Sequence, residues 1–125
     1  GFHWSQIDVG YNKLKDIYRI KNNGKGLWLM GGHKLFVSSN GYDWTEVQMS
    51  FPVSYILDID YNDIINVWAI AGDKDIFATS VDGIHWSLQD IGFPTNTTIR
   101  AIGHDSLGSW VIGGKSGQLV ILSRE

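Results

Sequence analysis

All six tryptophans of this chain fall into two columns of three. One column is Trp4, Trp44 and Trp86, and the other is Trp28, Trp68 and Trp110. The steps within each column are 40 and 42 residues. A period near 40 marks a solenoid, a propeller or an array, because each repeat buries its apolar face only against its neighbours. The surroundings repeat as well. Gly41-Tyr42-Asp43-Trp44 lies over Gly83-Ile84-His85-Trp86 and Gly1-Phe2-His3-Trp4. Leu27-Trp28-Leu29-Met30-Gly31-Gly32 lies over Val67-Trp68-Ala69-Ile70-Ala71-Gly72 and Ser109-Trp110-Val111-Ile112-Gly113-Gly114.

Within each period the apolar runs are four to seven residues long and end at Gly, Asn or Asp. They are rich in Ile, Val, Phe, Trp and Thr, which reads as strands and turns. Fifteen glycines against two prolines suit that reading. Each repeat resolves into four strands. Strand one is 16–20, 55–59 and 98–102, and strand two carries Trp28, Trp68 and Trp110. Strand three is 35–37, 77–79 and 120–122, and strand four starts at Trp44, Trp86 and Trp4. The fold class is therefore all-β, in one domain covering 1–125. Its expected parts are a lone fourth strand (1–9), two complete units (10–50 and 51–92) and the first three strands of a split unit (93–125).

The run Ser80-Val81-Asp82-Gly83-Ile84-His85-Trp86 resembles the Asp-box, or BNR repeat, with pattern S-x-D-G-x-x-W. Ser38, Asn40, Gly41 and Trp44 form a second copy with Asn for Asp. Ser123 and Glu125, joined to Gly1 and Trp4, form a split third copy with Glu in that place. The resemblance implies β-propeller blades of four antiparallel strands, with the motif joining strands three and four away from any active site. The chemistry of the residues agrees. A short acidic or amide side chain accepts N–H bonds from its own turn, and glycine adopts the positive φ.

Three blade-equivalents are too few to close a ring, since propellers hold ~4–8 blades. Open sheet faces and an unpaired strand invite a further chain. The expectation is a homo-oligomer in which strand four of one chain completes the last blade of its neighbour. A dimer with six blades is favoured over a trimer with nine. A segment cut from a longer propeller is the plainer alternative.

Functional classes are narrowed mostly by what the chain does not contain. A net charge of −3 gives no electrostatic reason to expect nucleic acid or a membrane surface as partner. No apolar run approaches the ~18 residues of a membrane span. With no cysteine, thiolate metal sites are excluded. The Asp-box resemblance includes sialidases, whose site needs an arginine triad and an Arg-Ile-Pro motif. This chain has only Arg19, Arg100 and Arg124, and Arg19-Ile20-Lys21 departs from the motif at the proline. His3, His33, His85 and His104 come from different elements without metal-ligand spacing. No catalytic residue, metal or cofactor is therefore expected.

Two sets of residues are candidates for binding. Alternation puts Ile17, Arg19 and Lys21 on one face of strand one, matched by Ile56, Asp58 and Asp60. Arg19 is then set to pair with Asp58, and Lys21 with Asp60, along a central channel. The loops from strand four to strand one carry Tyr11, Phe51 and Phe93. These either dock a protein or glycan partner or plug the seams between blades. The functional expectation is a non-enzymatic, self-assembling binding or structural scaffold. The alternatives are a multivalent carbohydrate-binding lectin and a sialidase-like glycosidase.

Overall fold

The chain folds into three antiparallel, blade-like sheets in a propeller-like arrangement, seen in a computed structural model that describes residues 1–9 and 16–123. The first sheet is β1 (Ile17–Asn22), β2 (Trp28–Gly32), β3 (Leu35–Ser38) and β4 (Thr45–Glu46), in that order. The second is β5 (Ile56–Asn62), β6 (Val67–Gly72), β7 (Ile76–Ser80) and β8 (Ser87–Leu88). The third holds β9 (Ile99–His104), β10 (Trp110–Gly114) and β11 (Leu119–Leu122). The fourth strands are short. One further bond extends each, from Val47 N–H to the Leu35 carbonyl and from Gln89 N–H to the Phe77 carbonyl.

The second sheet lies between the other two and buries both faces. Trp68, Ile70, Ala78 and Trp86 join Ile56, Ile59 and Tyr61 in a core shared with Leu29, Leu35 and Val47 of the first sheet. Ala69, Ala71 and Phe77 pack with Ile99, Trp110 and Ile112 of the third. β6 thus reads apolar at every position because both its faces are covered, which is how a doubly buried strand reads.

Two expectations about register are corrected. Alternation placed Ile56 on one face with Asp58 and Asp60. Instead a bulge falls between Ile56 and Asp58, and the same irregularity falls between Ile17 and Arg19. The extra residue flips the pleat. Ile56 and Ile59 therefore face the first sheet together, 2.7 and 3.2 Å from the point where a Cβ on Gly31 would lie. Asp58 and Asp60 turn the other way. The second correction concerns strand three of the last repeat. Trp28 pairs with Ser38 and Trp68 with Ser80, but Trp110 pairs with Leu122. Leu122, not Ser123, holds the serine position, and Leu119 stands where Leu35 and Phe77 stand.

Residues 1–9, expected as a lone fourth strand, form no strand and join none of the three sheets among the described residues. Phe2 and Trp4 are 91% and 87% exposed, their rings 6.4 Å apart.

Candidate functional site

The two turns that close β3 to β4 and β7 to β8 share one hydrogen-bond scheme. Ser80 Oγ accepts from Gly83 N–H at 2.8 Å and donates to Asp82 Oδ1 at 3.0 Å. Asp82 Oδ1 also accepts from Ile84 and His85 N–H, both at 2.8 Å. Ser38 and Asn40 repeat this with Gly41, Tyr42 and Asp43. Gly41 and Gly83 have φ of +81° and +79°, the left-handed region that disfavours a side chain. The indole N–H of Trp44 donates to the Gly41 carbonyl at 3.0 Å, and that of Trp86 to the Gly83 carbonyl at 3.1 Å. The turn polar groups are thus satisfied internally.

One pair within these turns escaped the sequence reading. Asn40 Nδ2 donates to Asp43 Oδ2 at 2.9 Å, whereas Asp82 Oδ2 lies 2.7 Å from His85 Nδ1. Donor and acceptor have exchanged ends between repeats. The signal was present as a correlated change at two positions three apart, Asn with Asp and Asp with His. The His85 ring, then the His85 and Ile84 N–H groups, hold the Asp82 carboxyl well below the usual carboxylate range. In the third repeat Ser123 lies just past β11, and Glu125 lies outside the described residues.

The innermost strands carry the charges. Arg19 Nε donates to Asp58 Oδ1 at 2.6 Å, as the matched positions predict. Asp58 Oδ2 accepts the Ile102 N–H of β9 at 2.8 Å, and Oδ1 the Ile59 N–H at 2.9 Å. This carboxylate is only 9% exposed and ties all three sheets together. A buried carboxylate without such partners is strongly disfavoured. The expected Lys21–Asp60 pair does not form. Asp60 Oδ2 instead lies 2.7 Å from His104 Nδ1, and His104 Nε2 lies 3.0 Å from Asp63 Oδ1. Asp60 is taken instead by His104 of the third sheet. Lys21 lines an open groove of about 270 Å³ with Asn22, Tyr61, Asp63 and His104. Burial alone would depress the His104 pKa, but hydrogen bonds and charge from Asp60 and Asp63 override this and raise it above 6.5. The sequence assigned His104 no role beyond its lack of metal-ligand spacing. Its position directly beyond Gly103, at the mouth of the strand-one row, was the available clue.

The aromatic loop residues go to the seams. Phe51 packs against the core between the first and second sheets, and Phe93 against the core between the second and third. Phe93 Cε2 lies 3.1 Å from the point where a Cβ on Gly114 would lie, so the ring is held close to the third sheet. Tyr11 lies outside the described residues. Among the described residues no group of three or more His, Asp or Glu side chains is arranged to hold a metal.

Beside each seam there is a cleft, and the two clefts occupy the same place in the repeat. The one at the first seam, about 220 Å³, is lined by Glu46, Val47, Gln48 and Met49. The one at the second seam, about 510 Å³, is lined by Leu88, Gln89, Asp90 and Ile91, each 42 residues further on. A scan against protein-family models finds no match for this chain, and searches of curated proteins and of solved structures return none either.

Proposed function

We propose that this chain is a non-enzymatic scaffold module of Asp-box type that closes into a propeller ring with copies of itself. The reading rests on one comparison between repeats. Ile56 and Ile59 are 0% exposed in the first seam, while their equivalents Ile17 and Ile20 on the outer face of the first sheet are 45% and 48% exposed. Leu35 and Phe77 are 1% and 0% exposed, while their equivalent Leu119 on the outer face of the third sheet is 67% exposed, next to Ile121 at 59%. The two outer faces therefore present the two halves of a seam that the chain already forms twice internally. Burying each such side chain stabilises by up to ~2 kcal/mol, an upper bound because the unfolded chain already hides some surface.

The edges are complementary as well. β3 and β7 are each covered by a fourth strand, whereas among the described residues β11 is not, and residues 1–9 form no strand with Trp4 87% exposed. In the ring, that segment pairs with β11 of the next copy and Trp4 takes the place that Trp44 and Trp86 hold. Two copies give six blades, within the ~4–8 that propellers use, and three give nine. The dimer is the preferred form. The charges of the inner strands fit a structural role, because Arg19, Asp58, Asp60 and His104 are engaged with one another across seams.

Solution mass tests the reading. The full chain is expected at twice its 14.0 kDa mass, and a chain without residues 1–9 at a lower mass with a lower melting temperature. If removing those residues leaves mass and melting temperature unchanged, strand exchange is wrong.

A further inference from the structure

We infer that the cleft at the second seam is a binding site for a small neutral pyranose sugar, with the cleft at the first seam as its narrower copy. The argument begins with the turn from β6 to β7. In the first sheet Trp28 and Ser38 pair across ten residues, and in the second Trp68 and Ser80 pair across twelve. The two additional residues form the turn that holds Lys74 and Asp75, and the cleft beside it is about 510 Å³ against about 220 Å³.

That turn is strained and fixed. Lys74 and Asp75 have φ of +59° and +65°, and Asn96, hydrogen-bonded to Asp75, has +65°. Non-glycine residues enter this region at a cost and stay only when surroundings enforce it, and such residues gather at ligand clamps. Here Asp75 provides the enforcement. Its carboxylate accepts Thr97 N–H at 2.6 Å and Asn96 N–H at 2.7 Å, while its own N–H donates to the Thr97 carbonyl at 2.8 Å. Turn and loop form one rigid wall before any ligand arrives.

The lining suits one chemical class. Leu88, 51% exposed, Ile91 and half-buried Phe93 supply an apolar platform of aliphatic and aromatic carbon. Around it stand polar groups with capacity to spare. The Lys74 ammonium has no hydrogen-bond or ion-pair partner among the described residues. Asp90 uses one oxygen on Gly92 N–H, at 3.0 Å, leaving the other oxygen for a ligand. Gln89 donates its amide N–H to Thr79 and keeps its carbonyl as acceptor. A pyranose has an apolar C–H face and an edge of hydroxyls that both donate and accept, which matches a platform with one cationic donor and two acceptors. A phosphate or carboxylate would meet Asp75 and Asp90, and a flat hydrocarbon would leave Lys74 desolvated without a partner. The cleft lies within one chain, so it forms whether or not the ring closes.

The test is a titration of the full ¹⁵N-labelled chain with the methyl glycosides of glucose, galactose, mannose and N-acetylglucosamine, read by amide chemical shifts. At least one glycoside is expected to give saturable shifts centred on Lys74, Gln89, Asp90 and Phe93. The dissociation constant should be on the order of millimolar, as befits about a dozen heavy atoms. Lys74→Asn, chosen because Asn tolerates positive φ, and Asp90→Ala should each weaken binding about 5- to 10-fold with the remaining amide shifts unmoved. No saturable shift with any of the four sugars overturns the proposal. So do shifts centred away from the cleft, or wild-type affinity in both variants. None of these outcomes depends on the solution mass, so the ring and the sugar site stand or fall separately.

Discussion

A single acceptor atom organises each turn between the third and fourth strands, and the chain tests two chemistries for it. Asn40 and Asp82 make the same backbone bonds, so the amide oxygen suffices for geometry. Asp82→Ala removes the acceptor for two N–H groups and the Ser80 hydroxyl at once. It should cost ~1–2 kcal/mol in chemical denaturation, while Asp82→Asn should cost less than ~1 kcal/mol because Asn40 already makes this turn work. The two substitutions should also separate in acid. The folded Asp82 carboxyl titrates below its unfolded value, so its contribution is present above about pH 4 and declines as pH falls further. Asp82→Asn should lack that decline. His104 has the opposite sign. Both ring nitrogens face carboxylates, Asp60 and Asp63, and both donate only when the ring is protonated. Its folded pKa is raised, so its contribution is complete below the unfolded value of about 6.5 and is lost as pH rises through the folded value. Melting temperatures measured from about pH 5 to about pH 9 should fall on the alkaline side for the wild type. For His104→Asn that fall should be smaller, and identical profiles would remove His104 from the linkage.

At the scale of the element, glycines set how closely neighbouring strands approach. A Cβ on Gly72 of β6 would collide with the Tyr55 carbonyl oxygen, which also accepts the Asp73 N–H at 3.2 Å. A Cβ on Gly113 of β10 would sit 3.8 Å from the Ala101 side chain, an ordinary contact. Gly72→Ala should therefore destabilise by ~2 kcal/mol or more, because backbone must move, and Gly113→Ala by less than ~1 kcal/mol. Equal losses in thermal unfolding would show that strand spacing does not decide these positions. The strands themselves were legible in the sequence, because the tryptophan columns fix their order and the Gly-rich turns their ends. The bulges at the starts of β1 and β5 were not. Nothing in Asp16-Ile17-Tyr18-Arg19 or Tyr55-Ile56-Leu57-Asp58 marks an inserted residue, since each side chain is acceptable on either face. That one missed residue put Asp58 and Asp60 on the wrong face of β5. It also accounts for the overlooked role of His104, which meets Asp60 only after the pleat has flipped. The one-residue offset of β11 has a similar origin, because Leu119 to Leu122 are all apolar and any register satisfies their composition. The seam clefts were partly legible, in that Phe93 was singled out, but the width of the second cleft depends on a turn whose length matters only once strand register is known.

For the whole molecule the decisive quantity is how much apolar surface the two outer sheets leave open. Middle-sheet positions show what a satisfied seam looks like, with Ile56, Ile59 and Phe77 fully buried. If ring closure supplies the same environment to Leu119 and Ile121, then Leu119→Asp with Ile121→Asp should prevent assembly while leaving the single chain folded. The folded chain loses little from the change, because both side chains already face solvent at 67% and 59% exposure. The assembled ring loses far more, since each closing seam would have to bury two carboxylates without partners. The midpoint concentration for assembly should therefore rise more than tenfold, the equivalent of over ~1.4 kcal/mol. Val81→Asp is the matched control, being 78% exposed on a turn outside the seams, and should assemble as the wild type does. Sedimentation across a concentration series reads both outcomes. A double variant that keeps the wild-type mass would mean that these faces remain in water, and that whatever contacts copies of this chain make do not repeat the internal seam.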